Sequence, residues 1–117
     1  MVAIAVTDTG ERAEYARRFR EQYPRAMWGD IHFNRRLRER SITPTMVDQA
    51  VLGEPAVVFE RYPGEDCYAL LGYCWSGQPL HVKMRFGNPP ELVTVYDPST
   101  DHKDRWESDL VTRRRAP

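Results

Sequence analysis

His32, Arg36 and Arg40 stand four residues apart in the run Ile31-His32-Phe33-Asn34-Arg35-Arg36-Leu37-Arg38-Glu39-Arg40. On a helix that spacing stacks the three side chains along one face, with about 6 Å of rise between neighbours. One imidazole and two permanent cations then form a single stripe. A second basic set follows in Leu80-His81-Val82-Lys83-Met84-Arg85-Phe86. On a strand, His81, Lys83 and Arg85 project to one side, and Leu80, Val82, Met84 and Phe86 to the other. A histidine with cationic neighbours, presented twice, suits recognition of a phosphate-containing substrate and chemistry on it.

The chemistry those groups fit is attack of a ribose 2′-oxygen on the adjacent phosphorus. A base takes the 2′ proton, an acid protonates the leaving 5′-oxygen, and cations stabilise the phosphoryl oxygens. Histidine serves as acid or base near neutrality, and the planar arginine fork binds two phosphate oxygens at once. The candidate catalytic residues are therefore His32, Arg36, His81 and Tyr96, the tyrosine as a hydrogen-bond donor to phosphate or a stacking surface for a base. Arg40, Lys83 and Arg85 are the candidate RNA-binding cations. Each has a plainer reading. A histidine packs between helix and sheet, arginines on a solvated helix face pair with Glu39 or Asp48, alternating polar residues form the wet face of a strand, and a tyrosine packs in the core or at an edge.

The elements that position these groups are legible from local signals. Thr9 is read as the cap of a helix from Gly10 to Tyr23, with Tyr15, Phe19 and Tyr23 every four residues and Pro24 ending it. Asp30 caps the second helix, which carries the histidine stripe and packs through Phe33 and Leu37. Ser41 breaks that pattern. Thr43-Pro44 opens a third helix through Met46, Val47, Ala50 and Val51, and Gly53 and Pro55 close it. Four strands follow, at Ala56 to Arg61, Tyr68 to Trp75, Leu80 to Phe86 and Glu91 to Asp97, joined by short Gly- and Pro-containing turns that imply an antiparallel meander. A short C-terminal helix around Asp101 to Val111 would pack Trp106 and Leu110. The fold class expected is α+β, with N-terminal helices covering one face of a four-stranded sheet and His81, Lys83 and Arg85 on the open face.

The chain of 117 residues is read as one domain, 41% apolar and 29% charged. No apolar run approaches the roughly 20 residues of a membrane span, and Met1 to Val6 is too short for a secretory signal, so a cytoplasmic location is expected by default. The formal net charge is zero, which argues against a protein dominated by nonspecific nucleic-acid binding. Yet arginines crowd the first third of the chain, so a basic face is still expected. Cys67 and Cys74 match no zinc spacing and read as free structural thiols. Near His102 no second spaced histidine is available and Lys103 would repel an ion, so no metal is expected; no glycine-rich phosphate loop points to a cofactor. Trp75, beside a turn, is the tryptophan best placed for stacking on a base.

Several motifs together resemble an uncharacterised bacterial domain family related to the RelE and BrnT ribonuclease toxins. They are His32-x3-Arg36-x3-Arg40 followed by Ser41-Ile42-Thr43, then Pro79-Leu80-His81-Val82, then Val93-Thr94-Val95-Tyr96-Asp97-Pro98. The resemblance runs from about Ile31 to Trp106, which makes residues 28–106 a toxin-like core and 1–27 an added N-terminal helix. It implies a RelE-like fold, metal-independent RNA cleavage using His81, Lys83, Arg85 and Tyr96 on the sheet, an RNA substrate that is free or ribosome-bound, and a protein antitoxin as partner. A non-catalytic RNA- or protein-binding module of the same fold is the alternative.

Overall fold

The computed structural model describes residues 3–54 and 56–100. The chain begins with strand β1 (Ile4–Ala5) and helix α1 (Thr9–Gln22), followed by a single 3-10 turn at Tyr23–Arg25. Helices α2 (Ile31–Glu39) and α3 (Pro44–Leu52) come next, then strands β2 (Val57–Tyr62), β3 (Cys67–Tyr73), β4 (Pro79–Arg85) and β5 (Glu91–Tyr96). All five strands pair antiparallel in the order β1-β2-β3-β4-β5. The sheet thus has five strands rather than the expected four. Ile4 and Ala5 add to the edge of β2 opposite Arg61 and Glu60. The expected C-terminal helix around Asp101 to Val111 lies outside the described residues.

Capping chemistry sets the helix boundaries. Asp8, not Thr9, caps α1, its carboxylate accepting from the Glu11 amide at 2.9 Å. The helix stops at Gln22, one residue short of the expected end, because Tyr23 opens the 3-10 turn that carries Pro24. Asp30 caps α2 as expected, accepting from the amides of His32 (3.0 Å) and Phe33 (3.1 Å). Gly29 precedes it with φ +66°, and a Cβ there would sit 2.7 Å from that of Phe33, so only glycine fits. At the far end Ser41 takes a left-handed conformation (φ 57°). The amides of Ser41 and Ile42 donate back to the carbonyls of Arg38 and Leu37, which terminates the helix. Thr43 caps α3 through the Met46 amide at 3.2 Å.

The three helices cover one face of the sheet. Val58, Leu70, Leu80, Val82, Met84, Leu92 and Val95 meet Phe19, Phe33, Leu37, Val47, Ala50 and Val51 there. Burial of each large apolar side chain contributes about 1.5–3 kcal/mol. Gly72 allows the closest approach: a Cβ at that position would lie 2.1 Å from the Ala50 carbonyl oxygen of α3. The other face is also apolar, with Phe59, Tyr62, Cys67, Ala69 and Leu71 buried together. A bulge between Lys83 and Met84 sets Thr94 opposite Lys83 and Leu92 opposite Met84, leaving Val93 as the extra residue of β5. Both cysteines are free and buried. Among the described residues no helix is long and apolar enough to cross a membrane.

Candidate functional site

Helix α2 lies along β5, and the two elements bound a groove of about 610 Å³. Phe33 and Leu37 are buried against the sheet, which turns His32 and Arg36 outward along the groove. Met27, Asp30 and Glu91 contribute further walls. A volume in this range accommodates a ligand of nucleotide size. The Met27 segment is tied to the start of β5 by two backbone hydrogen bonds, Met27 N–H to the Pro90 carbonyl at 2.8 Å and Leu92 N–H to the Met27 carbonyl at 2.9 Å. The Asp30 carboxyl is shifted below its ordinary range, first because the Phe33 amide donates to it and then through the His32 amide.

The stripe read from the sequence divides. His32 and Arg36 are exposed in the groove. Arg40, half-buried, donates from Nη1 to the Val95 carbonyl at 2.7 Å and so holds the outer edge of β5. Arg36 and Arg40 also flank a narrow crevice against Val93, Thr94 and Val95.

His81, Lys83 and Arg85 share a sheet face, as their alternation predicts, but that face is not open at His81. The His81 ring is 2% exposed. Its centroid lies 4.4 Å from that of Phe59, and its Nδ1 is 3.1 Å from the Tyr96 hydroxyl. The physical reason is the apolar cluster on this face, which encloses the imidazole. Tyr96 is buried as well. Lys83 is half-buried, its Nζ 3.8 Å from the centre of the Tyr62 ring, within cation–π range. A small pocket of about 120 Å³ gathers Tyr62, His81, Lys83, Thr94 and Tyr96. Arg85 is exposed and points elsewhere, its Nη1 3.4 Å from Glu91 Oε1. The candidate residues therefore fall into two groups on either side of β5, with Thr94 bordering both the Arg36 crevice and the Lys83 pocket.

Two positions were not among the site residues read from the sequence. Glu91 reads in sequence as the polar start of a strand; its side chain pairs with Arg85 of β4, and the residue is among those lining the groove. Asp97, in the Tyr96-Asp97-Pro98 motif, is buried and accepts from Gln78 Nε2 (2.8 Å), the Ser99 amide (2.8 Å) and Ser99 Oγ (2.6 Å), which fixes the end of β5 beside Tyr96. Trp28 is a packing anchor, edge-on to Tyr23 and Phe33. Trp75 is 87% exposed at the turn after β3. Among the described residues no three His, Cys, Asp or Glu side chains gather as a metal site would need; His102 lies outside them.

A domain family described as a domain of unknown function, DUF4258, matches residues 31–97, more than half of the chain. The match begins at the first residue of α2 and ends one residue beyond β5. No curated protein and no solved structure matches the chain.

Proposed function

The chain belongs to the DUF4258 domain family, and we propose that it is a toxin-like ribonuclease that cleaves RNA by 2′-oxygen attack without a metal ion. The observation that carries this reading is the exposure of His32 and Arg36 side by side in a groove of nucleotide size. An imidazole supplies one of the proton transfers and a guanidinium supplies phosphate charge neutralisation, two of the functions the reaction requires. Lys83, beyond the β5 edge, would hold the flanking backbone. The resemblance of the sequence motifs to a domain family related to the RelE and BrnT toxins agrees with this chemistry, with action in the cytoplasm and with restraint by a protein antitoxin.

A second reading is favoured by a specific observation. His81 is buried and Arg40 is bonded to the Val95 carbonyl, so two of the sequence candidates have structural work. A non-catalytic RNA-binding module of the same fold would need only the remaining cations. Expression in a bacterium, together with incubation of the purified chain with RNA and a chelator, with and without ribosomes, decides between them. Growth arrest and chelator-resistant cleavage are expected. Intact RNA with salt-sensitive binding would transfer the assignment to the binding module, and unimpaired growth with neither binding nor cleavage would overturn both.

A further inference from the structure

We propose that the groove between α3 and the turn after β3 is a docking site for a protein partner, which lays an arginine side chain flanked by apolar residues over Leu52, between Trp75 and Asp48. The groove measures about 390 Å³ and is lined by Thr45, Asp48, Gln49, Leu52, Gly53 and Trp75. It shares no lining residue with the His32 groove, so the proposal stands apart from the ribonuclease reading. Trp75 is 87% exposed and Leu52 53%. A lone exposed leucine is ordinary, but a tryptophan and a leucine in one groove mark a surface that another molecule covers.

Helix geometry orders the groove. Thr45 and Leu52, two turns apart, lie nearly on one line along α3, and Asp48 and Gln49 flank that line about 100° from each other. The opposite side of the helix, Val47, Ala50 and Val51, is buried in the core. Gln49 is the flank toward Trp75, its Oε1 accepting from the Trp75 amide at 3.0 Å. The turn that carries Trp75 is closed by Cys74 N–H to the Gln78 carbonyl (2.9 Å) and Gly77 N–H to the Cys74 carbonyl (2.8 Å). The Cys74 thiol also donates to the Met46 carbonyl of α3 at 3.6 Å. The indole therefore sits on a turn fixed to the helix before any partner arrives, which lowers the ordering cost of binding. Asp48 forms the other flank. The Tyr23 hydroxyl donates to its Oδ1; that donor is neutral, so it steadies the carboxylate and leaves its charge in place.

The charge around the groove selects the occupant. Asp48 is exposed, and so is Glu54 just past the helix end. No lysine or arginine stands in the last turn of α3, and the terminal carbonyls of the helix add negative partial charge. None of the lining residues is basic. An RNA phosphate is repelled by such a surface, which disfavours Trp75 as a platform for a base. A cation on an apolar stem fits every part of it. The methylenes of an arginine cover Leu52, and its planar head stacks on the indole and pairs with the Asp48 carboxylate. Tryptophan and arginine are also the residue types that dominate the energetic centres of protein interfaces.

The probe is the peptide acetyl-Ala-Leu-Arg-Leu-Ala-amide, titrated into the full chain and followed by NMR through the α3 amides and the Trp75 indole N–H, whose signal a Trp75→Phe variant identifies. The same peptide with citrulline, the neutral isostere of arginine, and a single-stranded oligouridylate are titrated in parallel. The arginine peptide is expected to shift the Trp75 indole and the Gln49 and Leu52 amides. Citrulline, Trp75→Ala and Asp48→Asn should each weaken that binding about tenfold, the size of a partly desolvated cation–π contact or a charge-assisted pair. Trp75→Ala should melt at the wild-type temperature, because the ring it removes packs on almost nothing. Equal binding of the citrulline peptide overturns the cationic occupant. Absence of any shift with the peptide in large excess, or shifts confined to residues outside the groove, overturns the site. A Trp75 signal that moves with oligouridylate and not with the peptide overturns it in favour of base stacking. One that moves when the chain alone is concentrated, with a dimer in sedimentation, overturns it in favour of a second copy.

Discussion

His81 Nδ1 lies 3.1 Å from the Tyr96 hydroxyl, across the register pair that joins β4 to β5. Both residues are buried, so the contact ties β4 to the edge strand β5 rather than facing solvent. Tyr96→Phe removes the hydroxyl and keeps the ring. The expected result is a loss of about 1 kcal/mol in stability, as for a typical buried hydrogen bond, with RNA cleavage retained within a few-fold. Urea unfolding and a cleavage assay on the same variant check this. Full stability with abolished cleavage would return His81 and Tyr96 to the reacting centre.

Arg36 and Arg40 have the same residue type and opposite expected behaviour. Arg36 faces the groove, so Arg36→Ala should abolish most cleavage and leave the melting temperature unchanged. Arg36→Lys should rescue poorly, because an ammonium cannot reproduce the bidentate fork. Arg40 donates to the Val95 carbonyl. Arg40→Ala should cost about 1 kcal/mol of stability, since that carbonyl loses a charged donor. Thermal melts and cleavage rates on the three variants separate the two roles.

In the proposed reading Lys83, whose ammonium lies over the Tyr62 ring, would hold the RNA backbone beyond the β5 edge. Lys83→Ala should weaken RNA binding and flatten the log–log dependence of affinity on salt by about 0.7, the value for one phosphate contact on a single strand. Affinity measured at a series of salt concentrations gives the slope. An unchanged slope would move the binding surface off this face.

The local signals of the sequence located most of the fold. Asp30 before Ile31 and Thr43 before Pro44 each mark a helix start whose cap the structure contains. The turns at Pro63-Gly64 and Ser76-Gly77 lie between strands as read. Strand β1 was not legible, because two residues carry no periodicity and its pairing with Arg61 and Glu60 is a long-range contact. Alternation assigned His81, Lys83 and Arg85 to one face, but alternation says which face a residue takes and not whether that face is covered. The missed clue was in β3, where Cys67, Ala69 and Leu71 alternate with Tyr68, Leu70 and Gly72, so both sides of the strand are apolar.

Gly72 tests the packing of α3 on the sheet. A methyl group there would meet the Ala50 carbonyl oxygen at 2.1 Å, and a backbone atom inside a helix cannot rotate aside. Gly72→Ala should destabilise the fold by about 3 kcal/mol, the upper end of ordinary overpacking, and lower the melting temperature by roughly ten degrees. A loss of only a degree or two would mean that α3 slides freely on β3.

The hydrogen bonds along the outer edge of β5 bear on how a partner protein can attach. The Met27 segment occupies the edge beside Pro90 and Leu92, and Arg40 occupies the Val95 carbonyl. An exposed strand edge is a template on which another chain can add a strand through backbone hydrogen bonds. Here those positions are already taken by the protein's own chain. A partner that reached the groove from this side would have to read side chains, and one carrying an acidic group could oppose Arg36 where the RNA phosphate is proposed to sit. Inhibition on this side would then depend on competition for charge, and would weaken as salt rises.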